Sequence, residues 1–188
     1  MTVRIQPTAG ARVRSGATVL GIGNPLMGDD GVGITLLNEL MGLRHEQELE
    51  FVDGGTVGMS LLPLVLDADS LLVLDAISGP TPGTVIVLSG DQLPRLLRMT
   101  LSPHQVGLLD VLVGARLLGC EPSRIAVIGV VPASVDLNLG LSPQVQAAVP
   151  HALKLARQVL LEWSVPGSED PASPHRGLPS ASSEVRQS

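Results

Sequence analysis

The sequence predicts an α/β sandwich around a largely parallel sheet, and two patterns carry this prediction. Five short runs rich in Leu, Val and Ile alternate with longer amphipathic runs, as expected when strands and helices follow one another. Several of these short runs are apolar at every position, which is typical of strands that helices cover on both faces. The predicted strands are Ala17–Gly23, Leu49–Asp53, Leu71–Ile77, Gly83–Ser89 and Arg124–Val131.

The gaps between the strands predict four helices and one tight connection. The helical patterns cover Val32–Leu43, Gly58–Leu66, Gln105–Leu118 and Pro143–Trp163. The segment GPTPGT between the third and fourth strands is too short for a crossover helix. It predicts a hairpin, so we expect one strand to run antiparallel to the others.

The two ends of the chain differ in composition from its middle. Residues 1–16 are polar and rich in turn formers, and residues 165–188 are rich in Pro, Ser and Gly without apolar periodicity. Such segments bury too little apolar surface to offset the entropy of ordering. We therefore expect a loose N-terminal lead-in over 1–16, a single domain over 17–164 and a disordered tail over 165–188.

Composition and charge exclude several functional classes. The formal net charge is −6, the only lysine is Lys154, and the chain has one Phe, one Trp and no Tyr, which disfavours a nucleic-acid partner. A single cysteine, Cys120, excludes an internal disulfide and a thiolate metal cluster. The apolar runs are too short to cross a bilayer. We expect a cytoplasmic monomer with no nucleic-acid or membrane partner.

The stretch GIGNPLMGDDGVG, from Gly21 to Gly33, follows the first predicted strand and resembles a phosphate-binding loop. Leu26 stands where a dinucleotide fingerprint needs its third glycine, and no Gly-Lys-Ser/Thr follows. Asp29 and Asp30 would also repel a polyphosphate. Carboxylates are favoured at a helix N-terminus, so we expect one aspartate to cap the next helix while the other faces the cleft.

Asp75 and His104 are the other candidates for chemistry. Asp75 ends a fully apolar run, where a buried charge is costly unless a partner or a metal compensates it. The stretch SPHQ predicts a helix start, with Ser102 as N-cap, Pro103 in the first position and Gln105 closing a capping box. The helix dipole there disfavours imidazolium, so His104 should be a neutral ligand or base, or else a bystander in the cap.

Ligand sites in open α/β sheets lie beyond the carboxyl ends of the strands. One aspartate of the first loop, Asp75 and His104 would meet there, and two carboxylates with one neutral imidazole are typical of a divalent-metal site. The sequence has no HExxH, which excludes a zincin, and no GxSxG nucleophile elbow.

For five further residues we expect structural or surface positions without a role in chemistry. Asp53 should accept hydrogen bonds from amides of its own loop, DGGT. Met59 should belong to the core, and Cys120 should be structural or incidental. His45 and His151 lack any functional context and should lie on the surface.

Five stretches in order carry a family resemblance: GIGNPLMGDDGVG, FVDGGTVGMSLLP, LLVLDAI with PGTV, SPHQVGLLDVL, and IGVVPASVDLNLGLSPQV. From Val19 to Leu161 the chain resembles the hydrogenase maturation proteases, the endopeptidases that process the large subunit of nickel-iron hydrogenases. The resemblance implies a twisted five-stranded sheet between helices. It also implies that Asp30, Asp75 and His104 bind metal and carry catalysis. Some family members have Glu where this chain has Asp30, and the shorter side chain alters the reach.

The resemblance implies removal of a short C-terminal extension from the hydrogenase large-subunit precursor after nickel insertion. The nickel is carried by the precursor, and other divalent metals are expected to be able to replace it. A site without thiolates should hold free nickel only moderately, which suits a site that recognises nickel already bound by the precursor. The alternative is a non-catalytic maturation chaperone that binds nickel or the precursor. A third hypothesis is a nucleotide-binding regulator, which is disfavoured because Asp29 and Asp30 would repel the phosphates of a nucleotide.

Overall fold

The structure of the chain, a computed structural model, describes residues 17–43, 48–56, 58–90, 92 and 103–164, without the side chains of 103–107 and 109. The predicted lead-in over 1–16 and tail over 165–188 lie outside the described residues, as does His45. Those expectations stay predictions.

A five-stranded sheet forms the centre of the described chain, in the order β2-β1-β3-β5-β4. The first four strands in this order are parallel, and β4 is antiparallel to β5. All five predicted strands are confirmed, with ends that differ by at most two residues from the prediction. Their bounds are β1 Ala17–Ile22, β2 Leu49–Gly55, β3 Ser70–Ala76, β4 Val85–Ser89 and β5 Arg124–Val130.

Helices cover both faces of the sheet, as predicted. They are α1 Val32–Met41, α2 Leu62–Asp67, α3 Pro103–Leu117 and α4 Pro143–Ser164, with short 3-10 turns at Gly28–Gly31 and Met59–Leu61. Helices α1 and α4 pack on one face, and α2 and α3 pack on the other. Successive side chains of β3 alternate between these two cores, and each is fully buried, which explains its unbroken apolar run. No helix of the described residues has the length and apolarity needed to cross a membrane.

The expected hairpin between the third and fourth strands is wrong in its pairing, although β4 does run antiparallel. Strand β5 lies between β3 and β4. The connection crosses the end of β5 and bonds to it: the N–H groups of Ile77 and Gly83 donate to the carbonyls of Val130 and Val131 at 3.0 and 2.8 Å. The short segment therefore spans one intervening strand, because the backbone groups at the end of β5 satisfy those of the connection.

Helix α1 approaches the sheet closely at Gly33. A Cβ at this position would overlap the carbonyl oxygens of Ile22 and Leu74, at the ends of the neighbouring strands β1 and β3. The glycine therefore lets the helix begin directly above the two strands. This close approach fixes the geometry of the turn that precedes α1.

We expect Gly33→Ala to lower the free energy of unfolding by about 1–3 kcal/mol, because backbone must move to admit the methyl group. Chemical denaturation monitored by circular dichroism measures this. The matched control is Gly114→Ala in α3, where the nearest atom to a Cβ is Leu62 Cδ1 at 3.6 Å. That change should stabilise by about 0.5–1 kcal/mol through helix propensity. Similar effects of the two substitutions would contradict the close approach of α1.

Candidate active site

The carboxyl ends of β1 and β3 form the point at which the strand order reverses. From β1 the chain continues to β2 on one side, whereas β3 lies on the other side of β1. Ligands bind open α/β sheets in the crevice at such a point. Asp30 lies in the 3-10 turn that follows β1, and Asp75 is the second-last residue of β3.

The turn after β1 folds back on itself and holds Asp30. Gly23 has a φ of 126°, and a Cβ there would overlap the carbonyl oxygen of Asp30, so only glycine fits both constraints. The N–H of Asn24 donates to Asp30 Oδ2 at 2.8 Å. Asp30 is only 4% exposed. The glycine thus allows a tight loop that holds the carboxylate of Asp30 in a fixed, buried position.

Asp75 is buried at the end of β3, as the sequence predicts. Its side chain is 2% exposed, and Oδ1 accepts a hydrogen bond from the Ala76 N–H at 2.7 Å. Burial raises the pKa of Asp75 well above its ordinary value, the Ala76 hydrogen bond partly opposes this, and the charge of Asp30 raises the pKa further. Asp30, in the turn after β1, and Asp75, at the end of β3, therefore lie at the same edge of the sheet, where the charge of Asp30 acts on Asp75.

Asp29 forms the most densely bonded polar contact of this region. Its Oδ2 accepts the Ala133 N–H at 2.8 Å, the Ser134 N–H at 3.2 Å and the Ser142 hydroxyl at 2.8 Å, and its Oδ1 accepts the Ser142 N–H at 2.6 Å. Burial favours a higher pKa, but these hydrogen bonds outweigh it and hold the pKa of Asp29 below its ordinary value. Asp29 is an ionised structural anchor.

The expectation that one aspartate caps α1 is wrong. The N-cap of α1 is Gly31, which makes no side-chain hydrogen bond to the helix. Asp29 instead bonds to Ser142, the residue before α4, whose hydroxyl accepts the Val145 N–H at 3.4 Å. The sequence contained a signal for this partner, because Ser142–Pro143 repeats the serine–proline pattern that predicts the start of α3.

His104 is the second residue of α3, as predicted, but its side chain and Ser102 lie outside the described residues. The Ser123 N–H, after α3, donates to the carbonyl of Asp69 just before β3, which places the end of α3 near the amino edge of the sheet. Fifteen helical residues span about 22 Å, roughly the length of the strands. The first turn of α3 is thereby directed toward the carboxyl edge. The role of His104 stays a prediction.

The structure tests two of the structural predictions, those for Asp53 and Met59. Asp53 Oδ1 accepts the Gly55 N–H at 2.9 Å, which confirms that Asp53 bonds its own loop. Met59 is 54% exposed, so its assignment to the core is wrong. It begins the 3-10 turn before α2, and Leu61 and Val65 are the buried residues of this segment.

The remaining candidates lie on the surface. His151 is exposed on α4, as predicted. Cys120 is exposed, and its Sγ lies 3.5 Å from the carbonyl of Leu118. The guanidinium of Arg116 lies 3.9 Å from Glu121 in an exposed ion pair. Among the described side chains, which do not include that of His104, no three of the types His, Cys, Asp and Glu are grouped to hold a metal.

Two neighbouring buried carboxyl groups allow two kinds of chemistry. A cation can compensate them, since carboxylate oxygens bind divalent metals and a nearby positive charge lowers their pKa. Alternatively, a buried carboxyl group whose pKa is raised, such as that of Asp75, can act as a general acid or base. Both kinds are compatible with hydrolysis at this edge of the sheet.

Comparison with known proteins places this geometry in one family. The family model described as hydrogenase maturation protease matches residues 34–159. The chain is 37% identical over 151 residues to the hydrogenase 2 maturation protease of Escherichia coli K12, covering 78% of this chain and 92% of that protein. It is also 37% identical over 152 residues to the hydrogenase expression/formation protein HupD of Rhodobacter capsulatus, covering 78% and 72% of the two chains.

Solved structures agree with these relatives. The hydrogenase maturating endopeptidase HybD from E. coli superposes with a TM-score of 0.73 at 36% identity, over 79% of this chain and 93% of that one. The [NiFe] hydrogenase maturation protease HybD from Thermococcus kodakarensis gives 0.64 at 28% identity, over 77% and 98%. These folds match the mixed five-stranded sheet described above.

We expect Asp29→Ala to lower the free energy of unfolding at pH 7 by about 3 kcal/mol or more, because buried donors lose their acceptor. The lowered pKa of Asp29 stabilises the fold above the unfolded pKa of about 4, and this contribution is lost as pH falls through the folded pKa. The difference between wild type and variant should therefore shrink in acid, as denaturation at several pH values measures. Exposed Asp110→Ala is the control, with an effect within about 0.5 kcal/mol.

Asp75→Asn should raise the free energy of unfolding at pH 7, by on the order of 1 kcal/mol or more, because it removes the cost of a buried acid and keeps an oxygen for the Ala76 N–H. Because the pKa of Asp75 is raised in the folded state, its burial costs wild type least stability below pH 4. The loss of stability grows as pH rises toward the folded pKa of Asp75. Thermal melts of both proteins between pH 4 and 8 measure this. If the difference in melting temperature between Asp75→Asn and wild type became smaller as pH rises, the buried charge of Asp75 would not be what destabilises wild type.

Proposed function

The chain belongs to the hydrogenase maturation protease family, and from this we propose that it removes the C-terminal extension of a nickel-iron hydrogenase large-subunit precursor. The nickel carried by the precursor is the recognition element. One observation of the structure supports this best: two buried carboxyl groups, Asp30 and Asp75, lie at the sheet edge where the strand order reverses. The solved structure from T. kodakarensis is that of a [NiFe] hydrogenase maturation protease, which supports the same class of client.

The donor atoms of the proposed site suit nickel held by another chain. Asp30 and Asp75 offer carboxylate oxygens, and His104 would add an imidazole nitrogen, a ligand type that suits nickel. A divalent cation would also offset the unfavourable burial of Asp75. The three residues include no thiolate, so their affinity for free nickel should be moderate. Nickel bound by the precursor would then complete the contact between enzyme and substrate.

The same residues suit peptide hydrolysis. Nickel in the precursor can polarise a carbonyl or a water molecule. Asp75, at the carboxyl end of β3, would accept a proton from the attacking water and return it to the leaving amine as the C–N bond breaks. Asp30, held by Asn24, and His104 would orient the metal-bearing end of the precursor. We propose that this takes place in the cytoplasm, with the protein acting as a monomer.

His104→Ala should abolish processing of nickel-loaded precursor, since the proposed site loses its imidazole. Purified protein and precursor are incubated, and mass spectrometry measures the precursor's C-terminus. Wild type should cleave nickel-loaded precursor and leave nickel-free precursor intact.

The control is His151→Ala, because His151 is exposed on α4, and it should cleave like wild type. Asp30→Glu should retain cleavage, as it keeps a carboxylate. Equal cleavage of both precursors by wild type would refute nickel recognition. Binding of the precursor without any peptide release would favour the maturation chaperone.

A further inference from the structure

An apolar patch lies on the surface beside the candidate site. It consists of Leu26, Val135, Leu137 and Leu139, which are 56%, 48%, 82% and 77% exposed. The last three lie in one loop, separated by Asp136 and Asn138. Exposed apolar side chains that cluster in this way mark interaction sites more often than isolated ones do.

The patch is held in one conformation. Both ends of its loop bond to Asp29, through Ala133 and Ser134 at the start and Ser142 at the end. The Asn138 N–H donates to the carbonyl of Leu26 at 3.1 Å, and the Asn138 carbonyl accepts the Gly28 N–H at 2.9 Å. Because the backbone is already ordered, a ligand that covers these side chains does not have to order the loop.

The chemistry of the patch restricts its ligand. Between Val131 and Ser142 the only charged residue is Asp136, whose carboxylate accepts the Ser134 hydroxyl at 2.7 Å. The whole protein carries a formal charge of −6, so an acidic ligand would be repelled. An uncharged apolar segment is the chemical match.

The patch is continuous with the proposed active site. Leu26 lies in the turn that carries Asp30, and Asp29 joins that turn to the loop of Leu137 and Leu139. A chain bound at Asp30 and Asp75 would therefore leave the site next to the patch. A ligand that extends from the active site can therefore cover these exposed side chains.

We propose that the patch docks an extended, uncharged apolar segment of the precursor next to the bond that is cleaved. This rests on the function proposed above for its choice of partner. Apolar side chains of that segment would pack on Leu137 and Leu139. The patch supplies binding, whereas the acids at the sheet edge act on the peptide bond.

The test compares the double variant Leu137→Ser/Leu139→Ser with wild type on nickel-loaded precursor. We expect KM for cleavage to rise at least tenfold, about 1.4 kcal/mol, with kcat within twofold, because the lost contact serves binding and not the chemical step. The dissociation constant of the precursor, measured by biolayer interferometry, should rise by the same factor. The matched control is Leu117→Ser/Leu118→Ser, since these leucines are 83% and 61% exposed at the far end of α3.

The outcomes separate this inference from the proposed function. If wild type binds precursor through Leu137 and Leu139 but releases no peptide, the docking inference stands and the proposed cleavage fails. Unchanged affinity and KM in the double variant, an equal loss in the control, or no precursor binding by wild type each overturn the docking inference. So does a wild-type dimer in analytical ultracentrifugation that the double variant abolishes, because a second copy would then be the occupant.

Discussion

The buried carboxylate of Asp29 joins three parts of the molecule that are far apart in sequence. It lies in the turn after β1 and bonds the loop that begins at Ala133 as well as Ser142 at the start of α4. A carboxylate that accepts several hydrogen bonds in a buried place is strongly favoured in its ionised form. The placement of the neighbouring Asp30 and the conformation of the apolar loop both depend on this one anchor.

Asp29 and Asp75 are two buried acids with opposite effects on the stability of the fold. Both are nearly inaccessible to solvent, yet hydrogen bonds lower the pKa of Asp29 while burial and a second carboxylate raise that of Asp75. Asp29 stabilises the fold in its charged form, whereas Asp75 opposes folding when charged. A buried group that costs stability is characteristic of a catalytic or binding site. Burial alone would not have distinguished these two residues.

The glycines of the first loop serve geometry rather than binding. Gly33 lets α1 approach the ends of β1 and β3, and Gly23 lets the chain pass against the backbone of Asp30. The resulting turn presents carboxylates at an edge where a nucleotide-binding fold would present amides to phosphate. The same sheet edge therefore suits a positively charged centre, and its apolar border suits an uncharged chain that reaches it.

The sequence by itself determined the five strands, the faces they bury and the acids at the sheet edge, because apolar periodicity and the cost of a buried charge are local properties. The family resemblance singled out Asp30. Only the tertiary structure decided that β5 separates β3 from β4, that Asp29 anchors α4 instead of capping α1, and that Met59 faces solvent. The first two depend on groups that meet across long stretches of the chain: 54 residues separate Ser70 from Arg124 in the β3–β5 pair, and 113 separate Asp29 from Ser142. Local pattern cannot specify such pairings, since several partners satisfy the same hydrogen-bonding group equally well.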